Sequence, residues 1–180
     1  MDLKRIFLMF VLVSTVLGCK NETKVESVTQ ETTVETINSF KMTASVIVKK
    51  DDDFCLLYTQ DGSLNFKEGV WKGIKGSENE QKVEFLLPQD TFPTQLRLDL
   101  GRNKDQDDIV IKSVKFEYLG NVLELVGPQV GVFFRADASK CTYDFETGVI
   151  KGLITNNEKQ SPSLYPHELV QEKELSKLMK

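Results

Sequence analysis

The chain has 180 residues, 40% of them hydrophobic, and its 27 acidic side chains against 23 basic ones give a formal net charge of −4. That length makes one ordinary domain with a sizeable core and needs no second. A mildly acidic chain without an arginine cluster, or a basic run interleaved with aromatics, argues against nucleic acid as a partner, and a single histidine leaves no three-histidine catalytic zinc.

The N-terminus carries Asp2, Lys4 and Arg5, then an apolar run from Ile6 to Leu17 broken only by Ser14 and Thr15, then Gly18-Cys19. The run is short for a bilayer span, and its basic start and small residue before the cut are those of an export signal. Val16-Leu17-Gly18-Cys19 resembles the lipobox of bacterial lipoproteins. The resemblance implies that residues 1–18 are a removed signal peptide and that Cys19 is the acylated first residue of the mature chain, anchored in a membrane by its lipid. Lys20 at the second mature position implies an outer-membrane lipoprotein of the cell envelope, facing the periplasm or the cell surface. Residues 19–39, rich in Thr, Glu, Asn, Val and Gln and free of glycine and proline, bury too little apolar surface to offset chain entropy and read as a flexible tether.

Order is expected from Phe40. Met42, Ala44, Val46 and Val48 alternate with polar residues and end in the acidic turn Asp51-Asp52-Asp53, as in a half-buried strand. Phe54, Leu56 and Tyr58 share a face of the next strand, with Cys55 and Leu57 on the other, so both faces are apolar and the strand is central. From Leu64 to Gly76 the pattern weakens into short strands punctuated by glycines around Trp71, and Ser77 to Glu80 reads as a polar loop.

The stretch from Gln81 to Tyr118 is the clearest part. Val83, Phe85 and Leu87 share a face, and Leu96, Leu98 and Leu100 alternate with Arg97 and Asp99, a period of two that excludes an amphipathic helix. Ile109 and Ile111 are in phase with each other but out of phase with Val114, Phe116 and Tyr118, so either an extra residue at a bulge or a strand changing sheets is expected at Lys112-Ser113. Val122 to Leu125 continues the alternation, Val130 to Arg135 is a strand or a buried connection, and Thr142 to Phe145 with Val149 to Ile154 form a hairpin around Glu146-Thr147-Gly148. Residues 40–157 are thus an all-β domain, a sandwich or barrel. Residues 158–180 are a loop marked by Ser161-Pro162 and Tyr165-Pro166, then a short C-terminal helix.

Leu96 to Gly101, the polar loop after it and Ile109 to Val114 resemble a strand–loop–strand unit of bacterial extracellular jelly-roll domains of the galactose-binding-like and carbohydrate-binding-module type. The resemblance, over residues 40–120, implies a two-layer antiparallel sandwich that binds ligands on end loops or a sheet face and often carries a structural calcium. In the chain's own residues, Asn103, Asp105 and Asp107 alternate in a polar loop and offer three hard oxygens toward calcium, against the plainer reading of a solvated turn. No other cofactor is expected. Trp71, Asp61, Arg97 and Tyr58 are the candidate ligand-binding residues, because sugars pack on aromatic faces while Asp and Arg bind hydroxyls, against the plainer reading that Trp71 fills the core or covers its rim. Cys55 and Cys141 either form a disulfide in an oxidising compartment or stay two buried thiols. The leading function is a non-catalytic envelope domain that binds a glycan or a partner protein. A structural or assembly subunit of an envelope complex is the alternative, and a glycoside hydrolase with a carboxylate pair is a third reading for which the sequence names no acids.

Overall fold

In a computed structural model, which describes residues 38–180, the alternation becomes two antiparallel sheets packed face to face, with a short helix at the C-terminus. The first sheet runs β4 (Ser77–Leu86), β1 (Lys41–Val48), β6 (Ile109–Tyr118), β10 (Val149–Gly152), β9 (Cys141–Asp144), and β7 (Asn121–Val126) lies on β6 beside β10. The second runs β3 (Glu68–Ile74), β2 (Asp52–Thr59), β5 (Gln95–Leu100), β13 (Ser163–Pro166), β8 (Phe134–Ala136). A small hairpin of β11 (Ile154–Thr155) and β12 (Glu158–Lys159) stands apart, turning through Asn156 and Asn157, both with positive φ. Two helices, α1 (Pro128–Phe133) and α2 (Glu168–Leu175), complete the fold, α2 ending in a 3-10 turn over Ser176–Met179.

The core is one continuous cluster. Met42, Ala44, Val46 and Val48 of β1 and Val114 and Phe116 of β6 face Phe54 and Leu56 of β2 and Leu96, Leu98 and Leu100 of β5 across the sandwich. Full burial of each such side chain is worth about 1.5–3 kcal/mol. The parity change at Lys112-Ser113 is a bulge: Ser45 pairs with Ser113 but Val46 with Ile111, leaving Lys112 as the extra residue. Without it one half of β6 would turn its apolar set to solvent.

Three expectations are corrected. Ser77 to Glu80 is the exposed start of β4, an edge strand that pairs only with β1; exposure on both faces removes the alternation by which a strand is recognised. Val130 to Arg135 divides between α1, which starts on Pro128 and buries Val130 and Phe133 one turn apart, and β8. The stretch 158–166 is not a loop. β13 lies between β5 and β8 and buries Leu164 completely, so the sandwich extends past residue 157 to Pro166.

β13 pairs with β5 through Ser163–Asp99 and Leu164–Leu98, and two residues further the register would set Pro166, which has no N–H, against Leu96. The side chain of Gln171, fully buried on α2, takes that place: its carbonyl accepts from the Leu96 N–H (2.7 Å) and its amide donates to the Leu96 carbonyl (3.2 Å). The C-terminal helix is thereby fastened to the sheet as a substitute strand.

Candidate functional site

The outward positions of the second sheet follow from its register. Trp71, Cys55 and Asp99 lie in one row across β3, β2 and β5; Gly69, Leu57 and Arg97 lie in the next, and Tyr165 on β13 pairs with Arg135 on β8. Because β2 is central, its outward Cys55 is apolar in role and completely buried, and Trp71 stands beside it, 50% exposed. Gly69 and Gly73 occupy the positions two before and two after Trp71, so no side chain flanks the indole along its strand. A Cβ at Gly69 would lie 2.9 Å from Cys55 Sγ, 3.0 Å from Leu57 Cδ2 and 3.1 Å from the Leu56 carbonyl, so an added methyl would have to push its neighbours aside.

Arginines frame this face. The chain has four, and the three within the described residues all lie against its aromatic rings. Arg102 stacks on Trp71 at 3.8 Å from the ring centroid, and Arg97 and Arg135 approach Tyr165 at 4.5 and 5.5 Å. Phe66, from the β2–β3 connection, meets Tyr165 edge-on at 6.2 Å. Arg97 is also held by Asp99 through two hydrogen bonds of 2.8 and 3.0 Å, and Arg135 donates to the Pro166 carbonyl. Guanidinium groups suit this setting because they are planar, weakly hydrated and always charged.

Arg102 reaches Trp71 because Asp52 folds the loop after β5. One Asp52 oxygen accepts the backbone N–H of Asp53, Arg102 and Asn103 at 2.7–3.0 Å, and the other accepts from the Gln106 amide. Gly101 turns the chain with φ +95°, where a Cβ would collide with that carboxylate. Gln106, itself buried, ties the loop to the turn between β1 and β2 by accepting from the Lys50 N–H and donating to the Lys50 carbonyl.

The expected ligand-binding residues therefore separate. Trp71 and Arg97 share the outer face of the second sheet. Tyr58 points inward and is buried, its hydroxyl donating to Glu68 at 2.8 Å; burial first, and then that carboxylate, push its pKa up to about 12. Asp61 lies with Tyr58 at a shallow recess of about 310 Å³ under the β2–β3 connection, where bonds from Ser63 hold its carboxyl below the usual range. The sequence reading omitted Arg102, Tyr165 and Arg135. Their signal was scarcity: in a chain whose cations are mostly lysine, each described arginine marks the same surface.

In the loop read for calcium, Asn103 Oδ1 accepts from the Asp105 N–H, its amide donates to the Asp51 carbonyl, and Asp107 faces Lys50 at 3.7 Å. Among the described residues no group of three or more His, Cys, Asp or Glu side chains is placed to hold a metal ion. The bridge considered between Cys55 and Cys141 is not formed. Both are free, buried thiols, Cys55 on β2 of the second sheet and Cys141 on β9 of the first, its Sγ turned to the Ser163 carbonyl. Burial pushes the Cys55 thiol up to about 11, with Asp99 adding to it, so this cysteine is protonated packing and no nucleophile. Cys19, the expected signal peptide and the expected tether up to residue 37 lie outside the described residues; among the described residues no helix is long and apolar enough to cross a membrane.

Comparison of the chain with protein-family models, with curated proteins and with solved structures finds no match.

Proposed function

We propose that this β-sandwich is a non-catalytic binding module of the cell envelope, anchored through a lipid on Cys19 as an outer-membrane lipoprotein, and that the outer face of its second sheet takes a glycan. The observation that carries the reading is the gathering of all three described arginines against Trp71 and Tyr165 on one face. Sugar rings present C–H faces that pack on an exposed indole, and hydroxyls or carboxylates that guanidinium and carboxylate groups bind. Arg97 with Asp99 offers both donors and acceptors, while Arg102 has no carboxylate at ion-pair distance among the described residues. The face spans the sheet from β3 to β8, some four strand spacings or about 19 Å, which suits an extended chain better than a single sugar.

Trp71 is the only tryptophan, so its emission reports this face alone. Titration of the full-length processed protein with host and bacterial polysaccharides is expected to give a saturable change that Arg102→Ala weakens. A flat response across the panel overturns the glycan reading. Capture of an envelope protein through the same residues would instead make the face a protein-binding one.

A further inference from the structure

The three arginines of the second sheet are not equivalent. The Arg97 side chain is only 17% exposed, and Asp99 accepts its Nε–H and one terminal N–H at 2.8 and 3.0 Å, so its charge is answered within the face. Arg102 and Arg135 are exposed, and neither has a carboxylate at ion-pair distance among the described residues. Arg135 gives its Nε–H to the Pro166 carbonyl at 3.2 Å, and Arg102 rests on Trp71. A guanidinium held on an aromatic ring keeps its terminal N–H donors for a carboxylate or sulfate, which it binds through two parallel hydrogen bonds.

Their positions matter as much as their charge. Trp71 stands on β3 and Arg135 on β8, the two edges of the five-stranded sheet, with the neutralised Arg97–Asp99 pair on β5 between them. Toward each edge the face thus offers one aromatic ring with one unanswered cation, Trp71 with Arg102 and Tyr165 with Arg135. Strand spacing sets the two about 19 Å apart. A single charged sugar reaches one of them. A chain that carries acids on several of its residues reaches both, and its second contact forms at high effective concentration.

The acids around this face decide whether an anion is tolerated there. Asp99 is spent on Arg97. Asp137 accepts from the Ser139 N–H and hydroxyl at 3.0 and 2.6 Å and faces Lys140 at 3.9 Å. Asp52 accepts four hydrogen bonds, and Asp51 pairs with Lys75 at 2.5 Å. Asp53, exposed on β2 opposite Gly73 and one row from Trp71, is the acid of this face without an ion partner among the described residues. Two unpaired cations therefore stand against one unpaired acid. We propose that the ligand is an acidic polysaccharide, whose carboxylate or sulfate groups bind Arg102 and Arg135 while its sugar rings cross the sheet between them. This names the ligand class for the glycan reading and rests on that reading.

The test extends the Trp71 titration of the full-length processed protein to polygalacturonate, alginate and heparan sulfate, each beside its carboxyl-reduced or desulfated form, and to galactan, mannan and dextran. The polymer that saturates the change is expected to be acidic and to bind about tenfold more tightly than its neutralised form, a gap that narrows as salt is raised. Arg135→Ala, at the edge far from the reporter, is expected to weaken the acidic polymer about tenfold and the neutralised one by less than about twofold. Asp53→Asn removes the unpaired acid and is expected to tighten the acidic polymer about twofold, with the neutralised one unchanged. A neutral polymer that binds as tightly as the acidic ones overturns the proposal and leaves the glycan reading standing. Equal losses from Arg135→Ala on both forms overturn it too, because a merely disturbed surface does not discriminate by ligand charge. A flat response to every polymer sinks both readings.

Discussion

The two outer faces of the sandwich use their charges differently. On the first sheet the cations are lysines that answer carboxylates across neighbouring strands: Glu117 takes Lys41 at 2.8 Å and Lys115 at 3.0 Å, and Lys82, Glu84 and Glu124 surround the same shallow surface. On the second sheet the cations are arginines, laid on aromatic rings and fixed by Asp52, Asp99 and the Pro166 carbonyl. Flexible lysines that neutralise their neighbours make a solvated surface. Planar cations already ordered on aromatic rings lose less freedom when a ligand arrives, which is what a recognition surface requires.

The comparison breaks most visibly at Gly69. Gly69→Ala forces a Cβ against Cys55 Sγ and the Leu56 carbonyl, and a loss of about 2 kcal/mol is expected from urea unfolding. Lys115→Ala on the other sheet is expected to cost less than about 0.5 kcal/mol. A cheap Gly69→Ala would show that the platform under Trp71 is not tightly built.

Next in size is ligand affinity. Arg102→Ala removes the cation from the Trp71 ring and is expected to weaken binding about tenfold, whereas Lys82→Ala leaves it within about twofold. Equal losses would erase the distinction between the faces.

Alkaline pH gives a third test. Cys55, Tyr58 and Tyr143 hold their protons up to about 11, 12 and 12, each chiefly because burial disfavours the anion. The unfolded chain releases them near the ordinary thiol and phenol values, so between roughly pH 9 and 11 it binds fewer protons than the folded chain and stability falls as pH rises. Cys141 has the same sign. Denaturation midpoints measured from pH 7 to 11 are expected to drop above about pH 9, and Cys55→Ala to flatten the first part of the drop.

The smallest effect belongs to the first sheet. Thr43 Oγ1 is buried without a hydrogen-bond partner, so Thr43→Val is expected to raise stability by about 0.5 kcal/mol in the same urea assay.

The sandwich was legible wherever one face is dry and the other wet. Leu96, Leu98 and Leu100 against Arg97 and Asp99 define β5, and the phase slip in β6 marks Lys112-Ser113 as irregular, while the pairing with β1 makes it a bulge and not a change of sheet. β13 escaped notice because Pro162 and Pro166 bracket it and because its missing bonds are supplied by Gln171, from a helix that sequence periodicity places but does not dock. The binding face was only half legible for the same kind of reason. Trp71 and Arg97 sit in strands, where alternation gives direction, but Arg102 is aimed by Asp52, some fifty residues earlier, and no local pattern records that bond.

The most direct test of the central claim is a nuclear magnetic resonance titration that follows the Trp71 indole N–H and the arginine Nε–H groups while the glycan that changes Trp71 emission is added. The account predicts that Trp71, Arg97, Arg102 and Arg135 shift together and saturate at one concentration, with Lys41, Lys82 and Lys115 unmoved. Shifts concentrated on those lysines, with the arginines silent, would contradict it.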